Sequence, residues 1–196
     1  MKFSTAFETN RMSPTPIKIL GICGSLRKDS FNKAALHTAA GLTGDQAKIS
    51  FAELAQIPLY DQDLKDKQVP GAVEQLSRQV LDADAILFAT PEYNYSVSGV
   101  LKNAIDWLSR LDPQPFADKP VAVMSASMSL FGGARAQYDL RRILIYLDAH
   151  FINKPEVMIA SAHKKFENGQ LTDDDTRQHI AKLVHALCDW TRRLQH

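Results

Sequence analysis

A run of five consecutive apolar residues, Ala85 to Ala89 (Ala-Ile-Leu-Phe-Ala), stops at Thr90-Pro91. It has no polar alternation, so it reads as a strand buried on both sheet faces. Two further stretches behave alike: Ile17 to Cys23, which carries only Lys18 as a polar residue, and Val121 to Met124. Each is followed by a polar loop and then by apolar residues at helical spacing. Lys48 to Leu54 alternates as a strand, and Val157 to Ala160 supplies a fifth. Helical patterns cover Lys33–Leu42, Val73–Leu81, Gly99–Leu111, Ala134–Ala149 and Asp173–Leu194, while Tyr60–Pro70 reads as a polar connection. Five alternations of strand and helix require crossovers, and right-handed crossovers put helices on both faces of a parallel sheet. The expected architecture is an α/β/α sandwich with strand order 2-1-3-4-5, whose ligands sit beyond the carboxyl ends of strands one and three.

Three unusual loops follow those strand ends. In the first, Gly21 and Gly24 interrupt the strand, Ser25, Arg27, Ser30 and Asn32 form a polar turn, and a helix starts near Phe31. Unpaired N–H groups of a first helical turn, the helix dipole, hydroxyl donors and a fork-shaped cation together suit an anion. No Gly-Lys-Ser/Thr triplet is present, so the loop is no Walker motif. The glycine spacing also misses the dinucleotide fingerprint. Asp29 stands six residues after Cys23, where a thiolate phosphatase needs arginine. Two readings stand at this point: a seat for a terminal monophosphate such as that of FMN, or an ordinary strand-to-helix turn with a serine cap.

The second loop, Pro91-Glu92-Tyr93-Asn94-Tyr95-Ser96, sets two aromatics and an amide on an arm stiffened by proline. A flavin ring needs flat apolar contact, available from Tyr93 and Tyr95, and hydrogen-bonding groups, available from Asn94 and the backbone. Glu92 reads as an anchor for the arm. The third loop has Ser125, Ser127 and Ser129 ahead of Gly132-Gly133, which permit close backbone approach.

Gly24-Ser25-Leu26-Arg27 with Ser30 and Asn32, Pro91 to Ser96, and Leu101-Lys102-Asn103-Ala104-Ile105-Asp106-Trp107 resemble the NADPH-dependent FMN reductase family, nearest its bacterial chromate- and quinone-reductase members. The likeness runs from Ile17 to Ile159. It implies a flavodoxin-like fold, bound FMN, and ping-pong transfer of two electrons from NADPH or NADH to quinones, azo dyes, free flavins or oxyanions. It also implies FMN-binding roles for Ser25, Arg27, Ser30, Phe31 and Asn32, for Pro91, Glu92, Tyr93, Asn94 and Tyr95, and for Ser127 and Gly132. Ser129 replaces a family glycine and Ser98 a frequent proline. Hydride chemistry on FMN leaves no side chain to name as catalytic. The resemblance further implies a homodimer or homotetramer. Leu101, Ile105, Trp107 and Leu108 are candidates for an apolar face between copies, although they could equally pack on their own sheet. Arg135, Tyr138 and Glu156 are candidate contacts between dimers.

The 196 residues suffice for one domain over 17–196, with residues 1–16 read as a flexible leader lacking a signal-peptide core. A net charge of +1 gives no reason to expect a nucleic-acid partner. No apolar run is long enough to span a bilayer, and two isolated cysteines suit a reducing, cytoplasmic setting. The six histidines lack metal-ligand spacing. The rival to an enzyme is a flavodoxin-type electron carrier or a flavin-dependent sensor. Such carriers are typically strongly acidic, and the near-neutral charge and Arg27 count against that reading.

Overall fold

The computed structural model describes residues 15–195, so the leader expected over 1–16 lies outside the described residues apart from Thr15 and Pro16. The sheet is parallel, with order β2-β1-β3-β4-β5. These strands are β1 (Ile17–Cys23), β2 (Ala47–Phe51), β3 (Ala85–Ala89), β4 (Pro120–Ala126) and β5 (His150–Phe151). The expected α/β order therefore holds. Helices α1 (Phe31–Gly41), α2 (Gln62–Lys67), α3 (Gly71–Asp82), α4 (Gly99–Leu108), α5 (Ala134–Ile145) and α6 (Asp174–Leu194) complete the crossovers and the closing segment.

Successive side chains on each central strand enter opposite cores. Ile19, Leu87 and Met124 pack with α1 and α6 residues such as Leu36 and Leu183. Leu20, Phe88 and Val123 pack with residues of α3, α4 and α5 such as Leu76, Leu101 and Leu140. A period of two with both faces apolar is why β3 and β4 read as unbroken hydrophobic runs, and every residue of each is buried.

The structure extends or decides the sequence reading in four places. The polar connection 60–70 contains α2, capped by Asp61, whose carboxylate accepts from the Asp63 N–H at 2.8 Å. It has no buried residue, hence no apolar period to betray it. The fifth strand is split. β5 pairs with the start of β4, whereas β6 (Val157–Ile159) pairs with Met124–Ala126. Pro155, which has no N–H for a ladder, stands in the gap. An unexpected hairpin, β7 (Phe166–Glu167) and β8 (Gln170–Leu171), turns through Asn168 and Gly169 at φ 49° and 76°. That Asn-Gly pair is the standard signal for such a turn. Finally, Leu101, Ile105, Trp107 and Leu108 form no face for a second copy, because their own chain buries all four. The Trp107 indole N–H donates to the Pro58 carbonyl at 2.8 Å, tying α4 to the segment before α2.

Candidate functional site

The three loops meet at the carboxyl edge of the sheet. Ser30 caps α1, its hydroxyl accepting from the Lys33 N–H at 3.3 Å. The N–H groups of Phe31 and Asn32 have no carbonyl one turn earlier in the helix to receive them. Ser25 is buried and accepts the Arg27 N–H at 3.4 Å, which curls the loop over the helix start. Arg27 is exposed and, among the described residues, forms no ion pair. Cys23 sits just behind the loop, its thiol donating to the Ser25 carbonyl at 3.7 Å. Burial pushes that thiol above its ordinary pKa, so it stays protonated and is no nucleophile.

Buried hydrogen bonds tie these loops to one another. Asn32 uses its whole carboxamide on one residue of the third loop. Its Nδ2 donates to the Ala126 carbonyl at 2.9 Å, and its Oδ1 accepts the Ala126 N–H at 2.8 Å. Ser98, where the family often has proline, accepts the Leu101 N–H as the cap of α4 and donates to the Gly24 carbonyl at 2.5 Å. The second loop is thereby fastened to the first.

In the second loop, Tyr93 and Ser96 exchange backbone hydrogen bonds of 3.0 and 3.1 Å around a tight turn. The turn residues Asn94 and Tyr95 have φ of 49° and 70°. Left-handed backbone at a tyrosine costs about 1–3 kcal/mol. The neighbourhood compensates through Arg135, whose guanidinium lies 4.1 Å from the Tyr95 ring and 4.2 Å from that of Phe131. Arg135 also pairs with Glu92 at 2.9 Å, and its N–H reaches the other Glu92 oxygen at 3.1 Å. Glu92 therefore anchors the arm to the start of α5.

The third loop is shaped by its glycines. Gly132 and Gly133 have φ of 57° and 88°. A Cβ at Gly132 would lie 2.8 Å from the Met158 backbone carbon, and one at Gly133 would lie 2.7 Å from the Ser125 Cβ. The close approach that the glycines permit is thus to the protein's own chain. Buried Gln137 holds this packing, donating to the Ser125 hydroxyl at 2.7 Å and the Val157 carbonyl at 2.8 Å. Its Oε1 has no hydrogen-bond partner among the described residues. Ser129 lies outside the left-handed region among the described residues, so replacing the family glycine needs no strain there. Its N–H donates to the Ser127 hydroxyl at 3.2 Å.

One cleft of about 190 Å3 collects Ser25, Arg27, Ser30, Phe31 and Asn32 from the first loop, Pro91, Glu92 and Tyr93 from the second, and Ser127 from the third. Asn94, Tyr95 and Gly132 do not line it. Ala126 and Met128 do, and the sequence held no polar signal that would have singled them out. The cleft can take an anion at the α1 end and a flat group against Pro91 and Tyr93. Arg135, read from sequence with Tyr138 and Glu156 as a contact between dimers, adjoins the site through Glu92. Arg135 is engaged within its own chain, and the Tyr138 hydroxyl donates to Glu156 at 3.2 Å on the surface.

The family model described as NADPH-dependent FMN reductase matches residues 17–164. An NAD(P)H-dependent FMN reductase of Pseudomonas aeruginosa is 53% identical over 180 residues, covering 91% of this chain and 97% of that protein. A quinone reductase of Escherichia coli is 42% identical over 183 residues, with the same two coverages of 91% and 97%. Among solved structures, the flavoenzyme NAD(P)H:(acceptor) oxidoreductase FerB of Paracoccus denitrificans superposes with a TM-score of 0.83 at 31% identity, covering 90% of this chain and 98% of FerB.

Proposed function

This chain belongs to the NADPH-dependent FMN reductase family and is an FMN-dependent NAD(P)H oxidoreductase; we propose that the three-loop cleft is where FMN sits and that quinones are among its electron acceptors. The observation that carries this reading is the meeting of an open helix N-terminus and exposed Arg27 with the flat wall of Pro91 and Tyr93 in one cleft.

The residues fit that cofactor. Ser25, Ser30, the first N–H groups of α1 and Arg27 hold a terminal phosphate without a metal. Asn32 acts as a positioning residue through its clamp on Ala126. Pro91 and Tyr93 offer flat apolar contact, and Asn94 and Tyr95 shape the turn that presents them. Glu92 braces that arm, Ser127 borders the cleft from the third loop, and Gly132 packs the loop that carries Ser127. A cleft of about 190 Å3 falls below the usual ~300 Å3 floor of ligand pockets, so a bound ring would extend onto an open rim. An open rim suits alternating binding of a nicotinamide and a flat acceptor on one face, as a ping-pong cycle requires. FMN supplies the two-electron chemistry when bound. The protein's part is to orient the reactants and to aim fixed dipoles at the charge that develops.

Residues 17–196 read as one flavodoxin-like domain behind a leader. A homodimer or homotetramer is supported by exposed apolar side chains on the third loop and at the end of α5, among them Leu130, Phe131, Ile145 and the following Tyr146. Two free thiols, Cys23 and Cys188, support a cytoplasmic setting, and no described helix is long and apolar enough to cross a membrane.

The test is the visible spectrum of the purified protein under anaerobic conditions. A yellow protein that NADPH or NADH bleaches, and that a quinone then recolours, is the expected result. A protein that stays colourless after incubation with FMN would sink the assignment of the cleft.

A further inference from the structure

The cleft is the smaller of two adjoining cavities. Beside it, on the outer face of α1, lies a recess of about 540 Å3. Arg27, Ser30 and Phe31 line both cavities, so they meet at the end of the cleft where the terminal phosphate is placed. FMN ends at that phosphate and has nothing to put in the recess.

The walls of the recess have a definite chemistry. Arg27, Lys28 and Lys33 face one carboxylate, that of Asp29. None of the three cations forms an ion pair among the described residues. Half-buried Phe31, backed by buried Phe166 with ring centroids 5.0 Å apart, supplies aromatic surface, and His37 also lines the recess. The turn at Asn168 and Gly169 forms the wall opposite α1. From Ser30 to His37 the helix rises roughly 10 Å, enough to lie alongside a nucleoside monophosphate.

We infer that this recess receives the adenylate half of a flavin dinucleotide, so that the chain binds FAD as well as FMN. The inference rests on the placement of the FMN phosphate at Ser25, Arg27 and Ser30. In FAD a second phosphate is bonded directly to the first. With the first phosphate there, the second emerges beside Arg27 into a recess whose free cations are Lys28 and Lys33. The adenine then meets the half-buried ring of Phe31, which the buried ring of Phe166 backs. Cations for a phosphate and an aromatic face for a base are the two elements that such a ligand needs.

Fluorescence titration of the full chain stripped of flavin tests this. The wild type should bind FAD with a Kd within about tenfold of that for FMN. The double variant Lys28→Ala/Lys33→Ala should weaken FAD by about tenfold, within the range for two exposed charge contacts, while FMN changes less than twofold. Its melting temperature serves as the folding control. The FMN-loaded variant should keep its KM for NADPH, which separates flavin adenylate from the adenosine phosphate of the nicotinamide nucleotide. Binding of FMN with exclusion of FAD would overturn the inference. So would equal weakening of both flavins, or a raised KM for NADPH with an unchanged Kd for FAD. If neither flavin binds the wild type, the cleft assignment itself fails and the recess argument falls with it.

Discussion

Two helices begin at the same edge of the sheet, and their N-termini are treated in opposite ways. At α5 the protein seats its own anion. Glu92 accepts the Arg135 N–H at 3.1 Å and pairs with the Arg135 side chain at 2.9 Å. Gly133 at φ 88° brings the chain in close against Ser125. At α1 a serine cap leaves the first N–H groups open beside Arg27, which has no acidic partner among the described residues. The electrostatics of the two helix ends are alike. One is filled by a carboxylate from a neighbouring loop and bears structure, while the other is kept open and can bear a ligand.

The sharpest way to break the filled end is Gly133→Ala. Left-handed backbone costs about 1–2 kcal/mol and the clash with Ser125 about 1–3 more. Stability should fall by about 3 kcal/mol, and the melting temperature by about 6–12 °C in a thermal scan. Arg27→Ala strikes the open end instead. It should weaken FMN by roughly 30-fold in a fluorescence titration, about 2 kcal/mol for a charge-assisted bond, with little change in melting temperature. Loss of stability without loss of affinity at Arg27 would reverse the roles given to the two ends. Glu92→Gln removes the carboxylate but keeps the shape, and should cost about 1 kcal/mol in urea unfolding. A double-mutant cycle with Arg135→Met should recover most of that as coupling energy. Ser129→Gly should alter stability by less than about 0.5 kcal/mol, because its backbone lies outside the region that favours glycine.

Much of the open end could be read in the sequence because its signals are local. Ser30 followed by a helical pattern marks a cap, and Gly24 to Asn32 lies between a buried strand and that helix. The filled end could not be read in the same way. Glu92 and Arg135 are 43 residues apart, and no period or motif links them. Asn32 carries the same lesson. A polar residue in a phosphate loop reads as a ligand, yet its carboxamide is engaged with Ala126, 94 residues away. Gly132 likewise reads as room for a cofactor, and in the fold the approaching atoms are those of Met158. The hairpin at Asn168-Gly169, which lines the recess beside the cleft, is unexpected because its two-residue strands are too short to show an alternation.

Strand order, the two-sided core and the three loops at one sheet edge follow from the amino-acid sequence alone. Apolar runs without alternation admit only a sheet covered on both faces, and parallel strands leave their loops at common edges. Which polar groups remain available to a ligand is decided by tertiary structure. That choice depends on whether a distant carboxylate, amide or backbone group reaches each donor first. Distances of about 3 Å between residues far apart in the chain have no counterpart in local pattern.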